Sequence, residues 1–157
     1  MSGQFDVVGL GTTPIDIVSL VDHFPAGDEV QQALDLTVQG GGPVASAMVT
    51  LARLGANTAM LDVVGDDWRG DLIRREFERD GVCTDYLKLA KGATSALATI
   101  WVRQSDGARA IVYSPSTAPE LTAKDVPQTL IQSAQIIHLN GRHFDACLQA
   151  CEYARQN

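Results

Sequence analysis

Long apolar runs are missing: no segment approaches the roughly 20 residues a helix needs to cross a bilayer. Positive charge is scarce, with 12 Lys and Arg against 19 Asp and Glu and a formal net charge of −7. That balance excludes wrapping a nucleic-acid backbone, which needs clustered cations. Cysteine is scarce too. Cys83, Cys147 and Cys151 are an odd number without metal-ligand spacing, which argues against a disulfide framework or a cysteine metal site and predicts a reducing compartment. Met-Ser-Gly-Gln-Phe-Asp at the N-terminus lacks the basic-then-apolar layout of a secretory signal, so a cytoplasmic location is expected. Internal repeats and low-complexity segments are lacking as well. What remains is globular in character: 45% hydrophobic and 20% charged residues exclude disorder as the main property. At 157 residues, one compact domain with a real core is the first expectation.

Residues 5–11 form a short apolar run ending in glycines, read as a buried parallel strand and a turn. Residues 34–38 alternate as a strand with one wet face. Gly40-Gly41-Gly42 stops that strand, and Pro43 stands at the first position of a helix burying Val44, Met48, Leu51 and Ala52, with Gly55 as its stop. A strand follows over 59–64. Asp66 or Asp67 then caps a helix carrying Trp68, Leu72, Ile73 and Phe77 on its apolar side and ending at Gly81. Residues 97–104 and 109–114 are β-rich runs around Asp106-Gly107, a hairpin signal. Thr122 and Asp125 resemble a capping box opening a helix to about Gln132. A strand over 134–139 and an amphipathic helix with Phe144, Cys147, Leu148 and Cys151 complete the chain. Strand–helix alternation predicts βαβ units and a parallel sheet, with the hairpin and the 34–38 strand as a small β-flap beside it.

Gly9-Leu10-Gly11 after a strand invites a dinucleotide-binding reading, but Pro14 stands where the third glycine belongs and no helix begins there. A tight strand exit explains it better. Gly40-Gly41-Gly42-Pro43 is more informative, because missing side chains let a ligand approach the backbone while the following helix offers free N–H groups. An unusual strand-to-helix joint explains it equally well. Gly65-Asp66-Asp67 reads as a helix cap rather than a metal pair. Asp71 and Arg75 are spaced for an i, i+4 pair on a solvated face. Cys147 and Cys151 share a core-facing side, and His23, His138 and His143 show no ligand spacing. Asp16 follows the first strand, where parallel sheets form ligand crevices, and Arg109 opens the second hairpin arm. Spacing alone assigns neither a role.

Taken together, the segments resemble the N-terminal half of a ribokinase-like (PfkB-type) carbohydrate kinase over nearly the whole chain. The resemblance rests on Gly41-Gly42-Pro43-Val44-Ala45-Ser46 leading to Ala52-Arg53-Leu54-Gly55-Ala56, then on Val64-Gly65-Asp66-Asp67 with Gly70. It continues through Asp80-Gly81-Val82 and the hairpin beginning at Thr94. The runs 107–113 and His138-Leu139-Asn140-Gly141-Arg142 are similar to ketohexokinase-like members. This implies an α/β fold: a layered sheet with helices on both faces and a small β-sheet lid, with lid strands at about 12–40 and 95–118. It implies a sugar as substrate, bound by Asp16, Gly41, Gly42, Ser46 and Arg109, because a carboxylate accepts from sugar hydroxyls while guanidinium and backbone N–H groups donate. ATP and Mg²⁺ are implied for the complete enzyme and none for this chain alone. A homodimer paired through the lid is also implied.

The late Gly-Ala-Gly-Asp motif of such kinases, which supplies the catalytic base and the anion hole, occurs nowhere in the sequence. No Gly-x-x-x-x-Gly-Lys loop replaces it. The last helix runs to Asn157 without a Gly or Pro stop, so residues 1–157 are expected to be the N-terminal part of one larger domain. The expected activity of the complete protein is phosphorylation of a sugar hydroxyl, with no catalytic residue and no metal ligand in this chain. A non-catalytic sugar-binding or dimerisation fragment is the alternative, and a dinucleotide-binding domain the weaker one.

Overall fold

The computed structural model describes residues 5–156. In chain order it contains β1 (Phe5–Leu10), β2 (Ile15–Val21), β3 (Asp35–Gly40), α1 (Pro43–Arg53), β4 (Thr58–Gly65), α2 (Trp68–Arg79) and β5 (Leu87–Ala90). Then come β6 (Leu97–Arg103), β7 (Arg109–Ser114), a 3-10 turn (Ala123–Asp125), α3 (Gln128–Gln132), β8 (Ala134–Leu139) and α4 (Phe144–Arg155). The strands sort into two sheets. One is wholly parallel in the order β5-β4-β1-β8, the other has the order β3-β2-β6-β7. In the second, β2 and β6 run parallel and both outer pairs run antiparallel.

Strand β1 is buried because its alternate residues face two helical layers. Val7 packs with Val44, Met48, Ile73 and Phe77 under α1 and α2. Val8 and Leu10 pack with Leu130, Ile131, Ala146, Cys147 and Ala150 under α3 and α4. Gly9 lets α1 come close, since a Cβ there would lie 2.7 Å from Met48 Cγ and 2.8 Å from Val44 Cγ1. Pro43 takes the first helical position of α1, and Gly55 (φ 94°) and Gly81 (φ 80°) follow α1 and α2 in conformations that side chains avoid. Arg53 and Arg79, each in the last turn of its helix, both reach Asp80, at 2.8 and 2.9 Å. Burial opposes the charge on Asp80, yet the two guanidiniums hold its carboxyl below the ordinary value.

Between the two candidate caps the structure selects Asp67, whose Oδ1 accepts from Gly70 N at 3.0 Å and from Ser95 Oγ at 2.9 Å. Asp66 instead accepts from Gly92 N. Gly65-Asp66-Asp67 is therefore a turn that ties β4 and α2 to the entry of β6.

Several expectations need correcting. The helix expected over 122–132 is a 3-10 turn followed by the five-residue α3, because Pro127 has no N–H to continue the first turn. The Asp125 carboxylate still accepts from Thr122 N and Oγ1. Strand β3 has no dry face: Leu36 is 58% exposed and Val38 41%. Arg75 donates to the main-chain carbonyl of Asp71, not to its carboxylate. Strand β5, between two loops, was not anticipated. No described helix is long and apolar enough to cross a membrane.

Met48 is fully buried between β1 and β4, whereas Leu54 at the end of α1 is 79% exposed. Met48→Ala is expected to lower unfolding free energy by about 2–5 kcal/mol, read from the urea midpoint. Leu54→Ala should stay within about 0.5 kcal/mol of the parent.

Candidate functional site

The crevice lies at the C-terminal ends of β1, β4 and β8, where the chain leaves β1 for the second sheet and returns through the glycine run into α1. Residues 12–15 form its floor. Pro14 O accepts from Gly41 N at 2.9 Å, and Ile15 N donates to Ala96 O at 3.0 Å. Gly42 sits at φ 92°, and a Cβ there would lie 2.6 Å from the Thr12 carbonyl. Gly40 N donates to the Glu76 carboxylate, which clamps the end of β3 to α2.

Asp16, on β2, has its carboxylate against the Cα of Gly41, where any side chain would collide with both of its oxygens. It forms no hydrogen bond or ion pair with any described residue, and burial pushes its carboxyl above the ordinary value. A partly desolvated carboxylate without a donor is an acceptor in waiting.

Asp16, Gly41 and Gly42 thus converge. Ser46, in the first turn of α1, is exposed and lines an adjoining cleft of about 240 Å³ between α1, α2 and the end of β3. Gly41, Val49, Thr50, Ile73 and Phe77 also line that cleft; Asp16 does not. Arg109 shares the Asp16 face of the second sheet but not its end. Asp16 is level with Ala98 and Tyr113, whereas Arg109 pairs with Val102. Four residues along and two strands across separate them by roughly 13 Å and roughly 10 Å in those directions. One chain does not bring Arg109 to Asp16.

Asn140, just beyond β8, belongs to the crevice; in the sequence it stood only within the run 138–142 and was given no role of its own. A Cβ on Gly11 would lie 2.7 Å from Asn140 Oδ1, which accepts from Arg142 N. The available signal was its place immediately after an apolar parallel strand. β1 leads into strand β2, so no helix N-terminus follows Gly9-Leu10-Gly11 to hold a pyrophosphate. Among the described residues no three His, Cys, Asp or Glu side chains converge to hold a metal ion.

The family profile described as pfkB family carbohydrate kinase matches residues 4–156. Mouse ketohexokinase is 24% identical over 137 residues, 87% of this chain and 46% of the relative. Potato (Solanum tuberosum) fructokinase is 31% identical over 134 residues, 84% of this chain and 40% of the relative. The structure of Arabidopsis thaliana ribokinase complexed with ribose and ATP superposes with a TM-score of 0.79 at 20% identity, covering 97% of this chain and 50% of that one. The architecture is therefore ribokinase-like, and the chain spans about half the length of the proteins it matches.

Because burial raises the Asp16 carboxyl, the folded state favours the protonated acid. The associated stability is fully present below the ordinary carboxylate range and is lost as pH rises through the raised value. Asp16→Asn is expected to melt above the parent at about pH 7, with the gap closing as pH falls toward about 4. Thermal melts across that range check it.

Proposed function

Because the chain belongs to the pfkB family of carbohydrate kinases, we propose that it supplies the sugar-positioning side and the lid of an ATP-dependent sugar kinase. The observation that carries this is the Asp16 carboxylate: partly desolvated, without a donor among the described residues, and set against the side-chain-free Gly41 next to Gly42. Vicinal hydroxyls of a sugar are the donors that such a group lacks. The carboxylate would accept from two of them, while the exposed Ser46 hydroxyl at the head of α1 would donate to a ring or hydroxyl oxygen. The second sheet is the lid, with its Asp16 face turned to the substrate. Arg109 stands at the far end of that face, so a sugar contact from it requires the lid of a second copy.

Among the described residues no three His, Cys, Asp or Glu side chains converge, and the sequence carries no Gly-Ala-Gly-Asp. In this reading ATP and Mg²⁺ belong to the remainder of the full-length protein, where they would supply the phosphoryl group and neutralise its charge. This chain's residues bind and orient the acceptor hydroxyl and exclude water from it. The ketohexokinase and fructokinase relatives favour a ketohexose as acceptor, and an acidic sugar is the variant that Arg109 would suit.

Lid pairing has its own support. Leu36, Val38, Trp101 and Val112 lie on the lid face opposite Asp16, and all four are exposed. Contiguous exposed apolar area of this kind marks an association surface, and a homodimer through this face would cover it. Val112→Lys, with 65% of Val112 exposed, is expected to convert dimer to monomer in sedimentation velocity and to remove the concentration dependence of the melting temperature.

Calorimetry of the chain against a panel of ketoses, aldoses and sugar acids, without nucleotide, tests the site. We expect one sugar class to bind, and Asp16→Ala to weaken it by about ten-fold or more. Binding that survives Asp16→Ala unchanged contradicts the assignment. A chain whose intact mass ends at Asn157 is expected to release no ADP in response to sugar, and release would show that the chain suffices for catalysis.

A further inference from the structure

Below the β1–β2 loop lies a polar chain in an otherwise apolar core. Thr13 is 3% exposed, Asp62 3% and His143 2%. Thr13 Oγ1 donates to Asp62 Oδ2 at 2.6 Å, and His143 Nε2 lies 2.7 Å from Asp62 Oδ1. Leu121 N donates to His143 Nδ1 at 3.1 Å. A main-chain amide only donates, so Nδ1 is an acceptor and the ring proton sits on Nε2, aimed at Asp62. Val63 N supplies a further donor to Asp62 Oδ1 at 2.7 Å. The carboxylate thus takes three donors from within the chain.

Two features set this arrangement apart from ordinary core packing. His143 has φ 60° and ψ 57°, and it alone among the described non-glycine residues has positive φ. Such a conformation persists where the surroundings over-determine it. The neighbours of Asp62 on β4 are the core residues Leu61 and Val63, and apolar side chains of matching shape commonly replace buried polar groups without loss of stability. Polar groups supply direction instead. The direction fixed here is that of Thr13, one residue before the Pro14 carbonyl that holds Gly41 N and three before Asp16.

We propose that His143 and Asp62 are positioning residues of the substrate site: through the Thr13 hydroxyl they set the β1–β2 loop, and with it the spacing of the Asp16 carboxylate from the Gly41–Gly42 backbone. The relay joins the turn before α4 to the sugar-facing loop, segments 130 residues apart in sequence. The proposal rests on the assignment of Asp16 and the double glycine to the sugar.

The test uses the full-length chain and two readouts, the backbone amide resonances of Gly41 and Gly42 and the calorimetric affinity for the sugar that the parent binds. Thr13→Val keeps the shape and removes the donor. It is expected to shift the Gly41 amide and to weaken sugar binding about ten-fold, while Thr13→Ser, which keeps the hydroxyl, stays close to the parent. His143→Asn, which tolerates the left-handed backbone, is expected to give the same two changes. Unmoved Gly41 and Gly42 amides with unchanged affinity, in variants that only melt earlier, overturn the relay. The imidazole ¹⁵N shifts of the parent check it without any substitution, and a proton on Nδ1 would also overturn it. If the parent binds no sugar, the assignment of the site fails, while the glycine amides still decide whether the relay exists.

Discussion

A carboxylate occupies the space that a side chain on residue 41 would fill, and the crevice is organised around that exchange. Gly41 yields its volume to Asp16, and its N–H is held by Pro14 O from the loop leading to Asp16. The same loop presses the Thr12 carbonyl against Gly42. A larger residue at either glycine would push the loop away from the head of α1 and separate the acceptor from the open backbone it faces. The arrangement leaves a partly desolvated carboxylate that meets no donor among the described residues.

The body beneath makes this placement rigid. Strand β1 is covered on both faces and paired on both edges, by β4 and β8. The loop leaving it therefore starts from a fixed point. Gly9 brings α1 down onto the strand, and the ion pairs of Arg53 and Arg79 with Asp80 tie the ends of α1 and α2 together. Glu76 extends that rigidity to the end of β3 through Gly40 N. The lid consequently meets the body at anchored positions on both sides of the crevice.

Local signals in the sequence led to most of this. Pro43, Gly55, Asp67 and Gly81 bound their helices through backbone and capping preferences that act within a few residues. The parallel sheet followed from strand–helix alternation, whereas Asp16 and the double glycine were implied as site residues by the family resemblance. What stayed hidden depends on neighbours distant in sequence. His143 showed no ligand spacing because its partner, Asp62, lies 81 residues away. Asn140 gains meaning only when β8 pairs beside β1 and brings it to Gly11. Arg109 was implied as a site residue only by the family resemblance; the strand register places it at the far end of the sheet face that carries Asp16. The alternation in β3 suggested a dry face that the open lid does not provide.

The parallel ladder at the centre of the lid carries a kinetic consequence. Ile15 of β2 pairs with Leu97 of β6, and β3 and the whole α1–β5 segment lie between them in sequence. The hairpins flanking that ladder, β2·β3 and β6·β7, close from local chain, but the seam joining them carries the loop-closure entropy of roughly 80 residues. That seam therefore closes later than the two hairpins it joins.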